Sequence, residues 1–162
     1  MKSQLIVVPV AQLLKKVVEI VGSIDVSVIY VSLNKTAEGM SDIFSDSKGK
    51  IPKMFFIDCV RHEGESKDIL HISTNQLEKL DYAIRSFKDE IKGKKVIVLD
   101  ALSTLLIYNS ENKVAGFVKK IVGYAQEEGV DVLAFTPKTE EEELLTKVFN
   151  FFARIGDIDE SL

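Results

Sequence analysis

The chain changes hydrophobic period repeatedly along its length. Residues 6–9, with Leu5 ahead of them, form a continuous apolar run rich in β-branched side chains, and Val10, Leu13, Leu14, Val17, Val18 and Val21 then fall at helical spacing. This pattern predicts a strand leading into a helix. Residues 26–31 predict a second strand, and residues 36–44 a short helix with Met40, Ile43 and Phe44 on its apolar side. Residues 46–50 read as an exposed loop. Residues 54–59 predict a third strand, apolar nearly throughout as strands buried on both faces are, and residues 69–72 a shorter fourth.

Asn75 followed by Glu78 has capping-box spacing, and Leu77, Leu80, Ile84, Phe87 and Ile91 keep the helical period up to Gly93, a stop signal. Residues 95–100 give the clearest strand, rising out of charge and ending in an acid. Val114, Phe117, Val118, Ile121, Val122 and Ala125 form an apolar stripe that ends at Gly129. Residues 132–135 predict another strand. Thr139 and Glu142 repeat the capping-box spacing ahead of Leu144, Leu145, Val148, Phe149 and Phe152. Strands alternating with helices, several of the strands apolar throughout, require crossover connections. The expected class is α/β, a three-layer α/β/α sandwich with a mainly parallel central sheet. One domain over residues 1–155 is expected, with an acidic, frayed tail over 156–162. There is no internal repeat, low-complexity segment or interdomain linker.

Composition narrows the partners. The 162 residues are 46% hydrophobic and 28% charged with net charge −4, and a chain of this length buries roughly 70% of its unfolded surface without a disulfide or metal staple. The single Cys59 cannot form an internal bridge. The acidic balance lacks the basic excess of a nucleic-acid-coating protein, so no nucleic-acid partner is expected. No apolar run reaches the length of a membrane span, because Lys15 and Lys16, Asp100, and Lys119 and Lys120 interrupt the richest stretches. Residues 5–8 read as a strand rather than a signal peptide, and with one cysteine the expected address is cytoplasmic. The Lys and Glu bias with little Gln is a lean toward thermophile composition.

Lys95-Val96-Ile97-Val98-Leu99-Asp100, followed by Ala101, Leu102, Ser103 and Thr104, is an apolar strand ending in an acid and then hydroxyl residues. It resembles the Walker B segment of the KaiC-like and RadA-like branch of the RecA ATPase superfamily. Val28-Ile29-Tyr30-Val31-Ser32-Leu33 resembles the strand before that family's catalytic glutamates, Phe55-Phe56-Ile57-Asp58-Cys59 its next strand, and Val132-Leu133-Ala134-Phe135-Thr136 the strand after Walker B. The resemblance covers residues 4–152 and implies a RecA-like sandwich, an archaeal cytoplasmic setting, and Asp100, Ser103 and Thr104 at the metal-associated edge.

The departures from that family decide the expected function. A phosphate loop needs G-x-x-x-x-G-K-[ST] between first strand and first helix, because glycine backbone wraps the phosphates while Lys reaches them and the hydroxyl holds Mg²⁺. That junction reads Val8-Pro9-Val10-Ala11-Gln12-Leu13, and Gly49-Lys50 and Gly93-Lys94 lie elsewhere. After the second strand, where relatives carry a water-activating Glu, stand Leu33-Asn34-Lys35-Thr36, and neither amide nor ammonium serves as that base. A noncatalytic regulatory or assembly module, acting through protein contacts and needing no cofactor, is therefore expected. The alternative is a small-molecule or nucleotide-binding domain, or an enzyme, that uses the strand-end crevice near Asp58 and Asp100.

Each candidate residue has a plainer reading beside the functional one. Asp100 could accompany Mg²⁺ at a strand's carboxyl end, or hydrogen-bond backbone, Ser103 or Thr104. Asp58 could share a weak Mg²⁺ site with it or bond its own loop. Cys59, His62 and His71 are the only soft ligands, and Cys-x-x-His alone does not make a zinc site or a nucleophile pair. Asp58 with Lys138 evokes a phosphoacceptor domain, but the acidic pair required after the first strand is replaced by Pro9-Val10-Ala11. The 140–143 run of Glu is a solvated helix start or a dock for a basic partner. Phe149, Phe151 and Phe152 crowd one helical turn, so at least one of them is expected to meet another surface, a protein partner or a second copy, or else to be covered by a following C-terminal segment.

Overall fold

The computed structural model describes residues 2–46, 53–60, 69–138 and 142–156. Strand β1 (Ser3–Val8) passes through a 3-10 turn (Val10–Gln12) into α1 (Leu13–Gly22), followed by β2 (Ser27–Ser32), α2 (Ala37–Asp46), β3 (Met54–Asp58) and β4 (Leu70–His71). Then come α3 (Leu77–Glu90), β5 (Lys95–Asp100), a 3-10 helix (Leu102–Ile107), α4 (Glu111–Glu128), β6 (Asp131–Pro137), α5 (Glu142–Phe149) and β7 (Arg154–Gly156). The seven strands form one sheet in the order β4-β3-β2-β5-β6-β1-β7, every pair parallel.

The sheet is parallel because its strands are apolar on both faces, and each face has its own helical cover. Alternation along β2 sends Val28 and Tyr30 to one side and Ile29 and Val31 to the other; β5 divides Val96 and Val98 from Ile97 and Leu99 in the same way. The first side packs on Leu13, Val17 and Val21 of α1 and Ala37, Met40 and Phe44 of α2. The second packs on Leu80 and Ile84 of α3, Val114, Val118 and Ile121 of α4, and Leu144 and Val148 of α5. The molecule is the α/β/α sandwich that the alternating periods imply. No helix among the described residues is long and apolar enough to cross a membrane.

Several boundaries differ from the sequence reading, each for a local reason. The helix expected from Val10 begins at Leu13, because Pro9 opens a 3-10 turn closed by Gln12 N–H donating to Pro9 O at 2.9 Å. Val10 is left 67% exposed instead of lying on the helix's apolar face. Asn75 does not cap α3: that helix follows Gln76 and no side chain caps it. It also ends at Glu90, with Ile91 extended, before Gly93. Helix α4 starts ahead of its apolar stripe, where the Ser110 hydroxyl accepts from Lys113 N–H at 3.2 Å. At its far end Gly129 adopts φ 70°, and Val130 N–H reaches back to Ala125 O, as the sequence indicates. Thr139 lies outside the described residues.

Of the tail expected over 156–162, Gly156 alone lies among the described residues, and there it ends an edge strand. Arg154, Ile155 and Gly156 add an edge strand parallel to β1, Gly156 opposite Ile6, and Ala153 N–H donates to Ser3 Oγ at 2.8 Å.

Candidate functional site at the carboxyl edge of the sheet

In parallel sheets ligands gather beyond the carboxyl ends of the strands, at points where neighbouring strands leave toward opposite faces. The described connections give two such points. Between β2 and β5 the chain departs toward α2 on one face and α4 on the other; between β1 and β6 it departs toward α1 and α5. The sequence candidates surround the first, and the β1–α1 junction occupies the second.

Asp58, Ser32 and Asp100 stand in register across β3, β2 and β5. Two strand spacings separate the acids, about 10 Å between α-carbons. Both are buried and share the α1–α2 side of the sheet with Phe56, Tyr30 and Val98. Their carboxylates nevertheless serve different purposes. Asp58 accepts Ala37 N–H at 2.9 Å and Val60 N–H at 2.8 Å, anchoring the first turn of α2 and the exit from β3.

Asp100 receives its hydrogen bond from the Tyr30 phenol, two strand-end residues inward on β2. The partners named from sequence, Ser103 and Thr104, belong instead to the 3-10 helix that follows, where Thr104 N–H bonds Ala101 O at 3.2 Å. The Asp100 carbonyl accepts Leu33 N–H at 2.7 Å, which ties the exits of β2 and β5 together. Burial pushes the Asp100 carboxyl above its ordinary range, against the opposing pull of the Tyr30 hydrogen bond and the Lys35 charge. Tyr30 is raised well above its usual value by burial and by Asp100 beside it. The second carboxylate oxygen, Oδ1, is buried without a hydrogen-bond partner.

Edge-on contacts of Tyr30 with Phe44 and Phe56, each 5.6 Å between ring centroids, fix the phenol beneath Asp100. Sequence inspection passed over Tyr30 because a tyrosine in an apolar strand looks like core. The available signal was that a fully buried phenol requires a partner, and an acid lay two positions along in the neighbouring strand register.

The crevice of about 570 Å³ at this edge opens on the other face, between β2, β3 and the 3-10 helix. Thr104 and Cys59 line it, while Asp58 and Asp100 do not. Burial and the nearby Asp58 push the Cys59 thiol up to about 12, which keeps it protonated and unreactive near neutrality. His71 sits opposite Asp58 on β4, and His62 lies outside the described residues. No group of three or more His, Cys, Asp or Glu side chains positioned for a metal occurs among the described residues.

At the second switch point, the β1–α1 junction carries Pro9, Val10 and Ala11 in its 3-10 turn. Val10 is 67% and Leu14 39% exposed. The phenylalanine cluster behaves differently. Helix α5 ends at Phe149, so the three rings do not share one helical turn; Phe152 is buried, and Phe149 and Phe151 are half-buried against the α3–α5 core. No family model and no curated protein matches the chain in sequence.

Proposed function

We propose that the protein is a noncatalytic RecA/KaiC-like module that regulates or assembles other proteins through direct contact, independently of nucleotide. The observation that carries this reading is the β1–α1 junction, which offers solvent the apolar side chains of Val10 and Leu14. Phosphate binding there would need backbone N–H groups freed by glycine and a lysine aimed at the ligand. A pair of exposed aliphatic side chains four residues apart suits a protein partner instead. Asp100 supports the same reading, since its carboxylate accepts from the Tyr30 phenol and its backbone carbonyl from the Leu33 amide, which hold that strand end in place. Against a ligand or metal site built on the two acids stands their structural use: Asp58 anchors α2, Asp100 accepts from the Tyr30 phenol, and neither lines the nearby crevice.

A photoreactive amino acid placed at position 10 of the full chain tests the proposal. The expected result is a cross-link to a second copy or to another polypeptide, in equal yield with and without Mg-ATP. Cross-links that form only with Mg-ATP, or that arise from position 151 and not from position 10, contradict it.

A further inference from the structure

The crevice between β2, β3 and the 3-10 helix has a composition of its own. Its volume of about 570 Å³ lies within the range of small-molecule sites, and it sits at the β2/β5 switch point. Buried Leu33 and Cys59 contribute to its lining, with Val60 40%, Ile107 67% and Tyr108 66% exposed around it. Asn34 and Asn75 supply amides, each a donor and an acceptor, and Thr104 a hydroxyl. Among the described lining residues none carries a charge.

The walls are held together without a ligand. The Asn109 amide donates to Thr74 O and to Leu105 O, each at 2.8 Å, joining the approach to α3 to the 3-10 helix. A crevice whose width is fixed beforehand loses little on binding.

We infer that this crevice binds an uncharged, planar, hydrogen-bonding heterocycle of nucleoside size, its ring against Tyr108 and its polar edge on the Asn34 and Asn75 amides. A flat aromatic side chain favours a flat ligand, and amides match a partner that both donates and accepts. Among the described lining residues no charged side chain would compensate a phosphate or carboxylate group for its lost hydration. The site is separated from Val10 by β6, so it stands apart from the protein-contact reading.

The test is an NMR titration of the full ¹⁵N-labelled chain with adenosine, guanosine, cytidine and uridine, and then with their 5′-monophosphates. The expected result is saturable movement of the Asn34 and Asn75 side-chain resonances by at least one nucleoside, with Kd below about 1 mM. Its monophosphate should bind at least ~10-fold more weakly, and Tyr108→Ser should weaken nucleoside binding ~10-fold while the remaining spectrum is unchanged. Absence of saturable movement with all four nucleosides overturns the inference, as does binding that tolerates the phosphate equally or ignores Tyr108→Ser. The cross-link from position 10 is unaffected by any of these outcomes.

Discussion

The Tyr30 phenol donates its hydrogen bond to Asp100 across 70 residues of sequence, joining two adjacent strands beneath the carboxyl edge of the sheet. This pairing makes Asp100 part of the core. It also determines how the protein responds to substitution and to pH.

Tyr30→Phe keeps the ring between Phe44 and Phe56 but strips Asp100 of its hydrogen bond. Leaving a buried acceptor unpaired costs about 1–3 kcal/mol. Urea unfolding should show that loss of stability with an unchanged slope; a change within experimental scatter would mean that the bond contributes nothing net.

The pH dependence has a definite sign. The folded-state pKa of Asp100 is raised by burial above the ordinary 3.8, so the folded chain binds the proton more tightly than the unfolded chain. Its contribution to stability therefore falls as pH rises from about that ordinary value through the raised one, and then stays level. Asp100→Asn removes this titration. Compared with Asp100→Asn, the parent protein should gain stability on acidification toward pH ~4, measured by denaturant unfolding of both proteins at each pH. A constant difference between the two would contradict the burial account.

Asp58→Ala removes the acceptor of two backbone amides, Ala37 N–H and Val60 N–H. At about 1–2 kcal/mol for each amide left unpaired, the loss should reach roughly 2–4 kcal/mol. Hydrogen exchange should quicken at Ala37 and the first turn of α2 before it quickens in β5. Uniform acceleration throughout the sheet would show that Asp58 supports the whole core rather than this junction.

Lys88, buried between α3 and α4, is ion-paired to Glu128 and to Asp89, the latter at 3.2 Å, with its ammonium 5.1 Å from the Tyr124 ring centre. Glu128 is 47% exposed, so solvent screens much of the pair, and Asp89 remains when Glu128 is changed. Glu128→Gln should therefore cost below about 1 kcal/mol and lose its effect in high salt. A cost of several kcal/mol that persists in salt would show a fully desolvated pair.

Much of this architecture is legible in the chain. Continuous apolar strands such as residues 95–100 and the stripe ending at Gly129 specify a parallel sheet and its helices, because both patterns arise from burial on defined faces. What stays hidden is long-range pairing. Tyr30 and Asp100 meet only through strand order, and Asp58 becomes the anchor of α2 only because β3 lies beside β2. At the phenylalanine cluster the end of the helix is what stays hidden, while Phe149 and Phe151 do remain only half-buried. The cluster's local crowding implies an exposed ring if the helix continues, but α5 stops at Phe149 and the chain beyond it redirects Phe152 into the core. Short-range cues such as Asn75 with Glu78 likewise mark a helix correctly while misplacing its first residue.

The claim that organises the rest is that the carboxyl edge at β1 has no phosphate grip and makes protein contacts without nucleotide. Isothermal titration calorimetry of the full chain with Mg-ATP tests it most directly. The account predicts no saturable heat in the micromolar range of Mg-ATP, at about 100 μM or below. A site-specific micromolar complex that disappears in Asp100→Ala, with the fold intact by circular dichroism, would contradict it.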